Sequence, residues 1–268
     1  MAQSAATPIT APIVVLVDGS SHSRAAVRFA GEWAAETGAP VMLRGAMSVW
    51  HRSGILRDHV QRALYQEMDR YAAELSAKGG VVVGGTRAIV RFGRRTGALA
   101  VAGEPPLAVV LGMEGPGGWE STTRASLADE VAANVDCPII VVPNHEDPSQ
   151  LAHRPVVVGL DDPSSAEDTF AFAVFWARAH VVPVIVLRGP AVESLPGPMP
   201  ADVDVSDRRV EGDLGAALAA ESREAGLVVV GRPPSGTPGT SFRFLGPLHL
   251  EVSHAPVAVV RPHRDHRS

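Results

Sequence analysis

Two stretches of this chain are versions of each other, and that duplication limits the fold more than any other feature. Ile13–Gly45 reads IVVLVDGSSHSRAAVRFAGEWAAETGAPVMLRG, and Val156–Arg188 reads VVVGLDDPSSAEDTFAFAVFWARAHVVPVIVLR. Aligned without a gap, Asp18 falls on Asp161, Ala30 on Ala173, Trp33 on Trp176 and Pro40 on Pro183. Leu99–Gly112 then matches Leu218–Gly231, and CPIIVV (Cys137–Val142) matches APVAVV (Ala255–Val260). The blocks keep their order, so the chain is a tandem pair of one structural unit. The implied division is 10–145 and 153–264, joined by the polar, proline-bounded stretch Pro143–Pro155.

Periodicity gives each unit its class. In the first copy, short β-branched runs at Ile13–Val17, Val41–Ala46, Val81–Val90, Ala108–Leu111 and Ile139–Val142 read as buried strands. Between them, Ser20–Thr37 carries Ala26, Val27, Ala30, Trp33 and Ala34 at helical spacing, behind serines suited to an N-cap. Asp58–Ala77 places Leu64, Met68, Tyr71, Ala72 and Leu75 on one helical face. Further helices are expected over Gly97–Ala102 and Ser126–Val135. Strands alternating with helices predict a parallel sheet covered on both faces. The second copy predicts strands at 156–160, 184–188, near 203–210, 227–230 and 257–260, with helices at 164–180 and 213–224. Pro190–Asp207 is too rich in proline to be a helix and reads as a loop in place of one.

Composition excludes several classes. A formal net charge of −5 argues against a chain that coats nucleic acid or anionic lipid. No apolar run is long enough for a membrane span. MAQSAATPITAP lacks the basic and apolar regions of a secretory signal. The single cysteine, Cys137, rules out an internal disulfide and a cysteine-rich metal site, which makes a reducing cytoplasm the expected setting. Cys137 itself reads as a packing residue, as do Trp33 and Trp176. No P-loop and no dinucleotide fingerprint is present.

In an open parallel sheet, ligands bind beyond the carboxyl ends of the strands, where strand order reverses. The positions there are Asp18-Gly19-Ser20 after the first strand, Gly45 and Ala46 after the second, and a glycine-rich run from Gly112 through Gly118 after the fourth. Glycines let backbone approach an anion, and the N-terminus of a helix headed by Ser126 offers free N–H groups to phosphate. Ser126-x-x-Asp129 reads equally well as a capping box that serves only its own helix. No residue set points to a catalytic centre or a metal site.

The order VDGS, helix, strand, then VVLG, glycine-rich loop, serine-headed helix and CPIIVV resembles the universal stress protein family. Both halves carry the resemblance, as in tandem members of that family. It implies two tandem open parallel five-stranded α/β layers, flavodoxin-like or adenine-nucleotide α-hydrolase-like, the second shortened by loss of a helix. It also implies terminal strands that pair across a pseudo-dimer within the chain, and a homodimer beyond it. ATP-binding members carry G-x2-G-x9-G-[ST] after strand four. Here the first copy reads Gly112-x2-Gly115-x9-Ala125-Ser126, with alanine in the third glycine's place. Carried over by position, the resemblance places Leu16 and Asp18 at the adenosine and Ala46 beside the base. Leu111 and Gly112 would line the ribose side, and Gly115, Ala125, Ser126 and Leu127 would hold the phosphates. The second copy offers Gly231-Arg232-Pro233-Pro234, or Gly236-x9-Gly246-Pro247, so ATP is expected in the first half only. Three readings stay open: a regulatory stress-response module that binds adenine nucleotide with at most weak ATP hydrolysis, a degenerate member acting as an interaction scaffold, and an enzyme of the wider nucleotide-hydrolase class.

Overall fold

A computed structural model of the chain describes residues 9–49, 54–79, 81–92, 105–113, 131, 135–144, 151, 153–232 and 253–262. The first half runs β1 (Ile13–Val17), α1 (Ser21–Thr37), β2 (Val41–Val49), α2 (Gly54–Ala77), β3 (Val83–Phe92), β4 (Ala108–Met113) and β5 (Ile139–Pro143). The second runs β6 (Val156–Leu160), α3 (Pro163–His180), β7 (Val184–Arg188), β8 (Val205–Arg209), α4 (Leu214–Glu221), β9 (Leu227–Gly231) and β10 (Val257–Val260). Every position of β1, β5, β6, β9 and β10 is buried. A strand covered by helices on both faces has no solvent side, which is why these segments are unbroken apolar runs rather than alternating ones.

The strands form one sheet in the order β3-β2-β1-β4-β5-β10-β9-β6-β7-β8. Each half is a parallel layer, with β1 paired to β2 and β4, and β6 paired to β7 and β9. The two layers meet where β10 lies antiparallel on β5, Ala258 opposite Ile140. Pairing the terminal strands covers an edge that each half would otherwise present to solvent. The expected two layers are therefore halves of one continuous ten-stranded sheet.

Helices α1 and α3 meet over that junction. Trp33 and Trp176, which match in the repeat, touch each other at 4.8 Å between ring centroids. Only residues on a two-fold axis contact their own counterparts, so these indoles mark the internal pseudo-two-fold. Both are core residues, 0% and 4% exposed. Phe29 stacks on Trp176 at 5.4 Å.

Between β7 and β8 no helix forms, as the prolines dictate: residues 190–204 contain only turns and bends. Side chains hold this loop in place. Arg188 forks onto Asp207 at 2.7 and 2.8 Å and donates from Nη1 to the carbonyls of Val192 and Glu193. Arg178 on α3 makes a second fork, onto Asp202. The strand expected near 203–210 is β8. The helix expected over Gly97–Ala102, and most of that over Ser126–Val135, lie outside the described residues. Val131, within the latter, is helical and buried.

Candidate functional site

The strand order fixes where a ligand can sit. The chain goes from β1 to β2 on one side, then crosses back to place β4 on the other. The carboxyl ends of β1 and β4 thus flank the point where strand order reverses, the place at which open α/β sheets bind their ligands. Leu16 and Leu111 lie there on the same sheet face, 3% and 7% exposed, in one apolar cluster. Asp18 follows directly after β1.

The Asp18 carboxylate is held by its own chain. Its Oδ1 accepts from the Ser20 N–H at 3.0 Å and from the Ser23 hydroxyl at 2.9 Å. The Ser23 oxygen in turn accepts from the Asp18 N–H at 3.1 Å. Ser20 occupies the N-cap position of α1, yet its side chain makes no capping bond. The turn is closed by Asp18 instead, in the Asx geometry that lets a carboxylate mimic a backbone carbonyl. Ser23 is 2% exposed and was not among the residues singled out from sequence. Its signal was present in the repeat, because the matching position in the second half is Ala166.

Two expected site residues are placed differently from the sequence reading. β2 continues to Val49, so Ala46 lies inside the strand, one step past the Val17–Gly45 register pair, rather than beyond its end. β4 continues to Met113, so Gly112 is also a strand residue, paired with Val142. Its missing side chain has a packing cause. A Cβ at Gly112 would stand 1.9 Å from the His22 carbonyl oxygen and 2.4 Å from its carbon. The first turn of α1 thus rests on bare backbone of β4, and only glycine permits that approach. Leu16, Asp18, Ala46, Leu111 and Gly112 lie toward the carboxyl ends of the neighbouring strands β2, β1 and β4. Gly115, Ala125, Ser126 and Leu127 lie outside the described residues.

The same region of the second half has lost its fittings. Asp161 matches Asp18, but Pro163 stands where Ser20 offers an N–H, and Ala166 where Ser23 offers a hydroxyl. Burial pushes the Asp161 carboxyl above its usual range, with Asp162 adding to the rise. Capping has moved to Asp162, whose side chain accepts from the Ser164 N–H at 2.8 Å. Gly159 takes the place of Leu16, and the Leu218 side chain fills the space, 2.6 Å from where a Cβ would be.

Residues 10–143, half of the 268-residue chain, match the family model described as the universal stress protein family. The chain belongs to that family. Its sequence is 25% identical to the universal stress protein Rv2623 of Mycobacterium tuberculosis (strain ATCC 25618 / H37Rv) over 289 aligned positions, covering 93% of this chain and 96% of that one. The solved universal stress protein of Archaeoglobus fulgidus DSM 4304 superposes with a TM-score of 0.68 at 15% identity, covering 94% and 98% of the two chains. A protein of unknown function from Pseudomonas aeruginosa PAO1 gives a TM-score of 0.57 at 10% identity, covering 94% and 93%. At those identities the solved structures establish the fold alone, a tandem α/β pair over nearly the whole length.

Among the described residues of this universal stress protein, no cluster of three or more His, Cys, Asp or Glu could hold a metal ion. No described helix is long and apolar enough to cross a membrane. Burial pushes the thiol of Cys137 up to about 12, so at neutral pH it is a protonated packing group.

Proposed function

We propose that this tandem universal stress protein is a regulatory module that binds one adenine nucleotide, ATP foremost, in its first unit (10–145). The second unit (153–264) is a degenerate copy that completes the sheet. The carrying observation is the difference at the first strand's end. Asp18 is pre-oriented by the Ser23 hydroxyl and the Ser20 N–H, whereas Asp161 has had both donors replaced by groups that cannot donate. Pre-orientation lowers the ordering cost of binding, so a fixed carboxylate where strand order reverses suits recognition of a ribose hydroxyl or an amine on the base.

In this reading Leu16 and Leu111 supply the apolar wall for adenosine, with Ala46 beside the base and Gly112 at the ribose. Gly115, Ala125, Ser126 and Leu127 take the phosphates. No residue is assigned a catalytic role, so hydrolysis is at most slow and nucleotide acts as a signal. The protein works as a homodimer in the cytoplasm, without nucleic acid or membrane.

Calorimetric titration of the full chain with ATP, ADP and AMP tests the proposal. One site per chain is expected. Ala125→Gly should tighten it, by restoring a bare backbone where the phosphates pass. Ser23→Ala should weaken it about tenfold, by the worth of one hydrogen bond to a charged group. No heat at millimolar nucleotide from either the parent or Ala125→Gly overturns the reading. The scaffold alternative, favoured by Ala125 and by the lost fittings of the second half, then stands in its place.

A further inference from the structure

The pseudo-two-fold junction contains one feature that breaks its own symmetry. On α1, the Thr37 hydroxyl donates to the Trp33 carbonyl one turn back, at 2.8 Å. At the matching place on α3, His180 Nδ1 lies 3.0 Å from the Trp176 carbonyl. A carbonyl only accepts, so Nδ1 carries a proton. The other ring nitrogen, Nε2, faces across the junction to Glu36 Oε2 on α1, at 2.9 Å. The imidazole is 2% exposed, the Glu36 side chain 31%, and the ring lies flat on Trp176 at 4.1 Å.

Hydrogen count then decides the state of the pair. With Nδ1 already protonated, neutral Nε2 is an acceptor, and so is a carboxylate oxygen. Two acceptors do not sit at 2.9 Å, so one proton lies between them. We propose that the α1–α3 junction is a proton-dependent clasp, in which Glu36 and His180 share a single proton and closure of the junction at neutral pH takes that proton up from solvent.

Burial holds the Glu36 carboxyl above its usual range and the His180 imidazole below its own, which brings their proton affinities toward each other, and with one shared proton the closed pair carries no net charge. The other charged groups facing it are Glu32 on α1, Lys78 just past α2, and His153 on the segment before β6. Lys78 is already bonded to Glu32. His153 acts on both members, opposing protonation of each.

The direction with pH follows from proton numbers. The closed pair holds one proton. With the junction open, the two groups titrate near their ordinary values, about 4.3 for glutamate and about 6.5 for histidine. Between those values the open pair also holds one proton, and pH has no leverage. Above about 6.5 the open pair holds fewer, so closure consumes a proton and the clasp weakens as pH rises, by up to about tenfold in the opening constant per pH unit. Below about 4.3 the open pair holds two protons, and the clasp weakens again. Mild acidification therefore tightens the junction between the two halves.

The test compares unfolding of the full-length parent and Glu36→Gln across pH 5.5 to 8.5. The glutamine amide donates to Nε2 without a titrating proton, so the contact persists and the weakening above about pH 6.5 disappears. The ratio of the parent to the variant unfolding constant should rise by up to about tenfold per pH unit across the whole range, above about 6.5 because the open parent has lost its proton and below it because the open variant has gained one on His180. A His153→Gln variant should leave that pH dependence in place. Imidazole nitrogen shifts of the native parent supply a reading that needs no variant: His180 should show Nδ1–H and a hydrogen-bonded Nε2, both unchanged across the range. Parallel stability curves, dependence lost in His153→Gln, or a His180 that titrates like a free imidazole each overturn the proposal.

Discussion

The carboxyl ends of β1 and β6 began as one sequence and now solve different problems. In the first half a short chain of donors, Ser20 N–H and Ser23 hydroxyl, holds the Asp18 carboxylate in one orientation. In the second, Pro163 and Ala166 have removed both, Asp162 has taken over helix capping, and Leu218 has closed the space above Gly159. Duplicated sheets persist because their apolar strands are buried between layers, where exchange is costly. Polar fittings at strand ends persist only while something uses them. The contrast between Asp18 and Asp161 is therefore better information about function than either residue alone.

Substitution at the glycine under each first helix should sharpen this contrast most. A Cβ at Gly112 meets backbone of His22, whereas one at Gly231 meets the Ser165 side chain, Oγ at 2.3 Å and Cβ at 2.9 Å. Gly112→Ala should cost about 3 kcal/mol or more, and no change of the His22 side chain should rescue it. Gly231→Ala should cost about 1–2 kcal/mol, much of it recovered by Ser165→Ala. Urea unfolding of the four variants checks this, and equal costs at the two glycines would break the comparison.

Next in size is the loop that stands for the lost helix. Arg188→Ala removes the fork to Asp207 and both carbonyl contacts, and should cost about 2 kcal/mol. Hydrogen exchange should rise in residues 190–204 while α2, which occupies the matching place in the first half, keeps its protection.

Asp161 gives a smaller, pH-dependent effect. Its folded carboxyl titrates above the ordinary value, so stability is lost as pH rises through that folded value. Asp161→Asn should therefore gain stability at pH 7, by under about 1 kcal/mol because the carboxylate is partly solvated. The gain should fade as pH drops through the raised value and level off below the usual carboxylate range. The same change at Asp18 should destabilise, because an amide nitrogen or a neutral oxygen is a poorer partner for two donors. Thermal melts at pH 4 and pH 7 distinguish the two.

The smallest effect is at the helix ends. α1 stops at Gly38, with φ 71°, and α3 at the matching Val181, with φ 54° and 91% exposure. A β-branched residue in the left-handed region is strained and here buries nothing. Val181→Gly should stabilise by up to about 1 kcal/mol, and Gly38→Val should destabilise by about 1–2 kcal/mol. Matched melting curves test both signs.

The sheet was legible because its signal is the burial of whole strands. Ile13–Val17 and Val156–Leu160 announce themselves as unbroken apolar runs, and Pro190–Pro200 announces the missing helix. The extension of β2 to Val49 and of β4 to Met113 was not legible, because strand ends are set by pairing with β3 and β5 rather than by local pattern. Asp18 was readable from its place after a strand, whereas Ser23 was marked only by its mismatch with Ala166 in the repeat. Its role depends on the first turn of α1 folding back on Asp18, a contact that spacing alone leaves undetermined. Gly112 drew notice as the start of a glycine-rich loop, while its structural reason is the close approach of α1. The Glu36–His180 pair was invisible, since its members come from separate halves.

Joining the two copies through the segment that ends at Pro155 has a consequence for what the β5–β10 junction must do. Two separate subunits of this shape would have to find each other in solution, and their contact would need enough strength to survive dilution. A short tether instead keeps the partner at an effective concentration of order millimolar, so assembly is independent of how much protein the cell makes. It also frees the contact from repeating itself: in a symmetric pair every substitution appears twice, whereas here a histidine can replace one threonine on one side only. The tethered pair can thus tolerate a weak or adjustable contact at its centre and still never come apart.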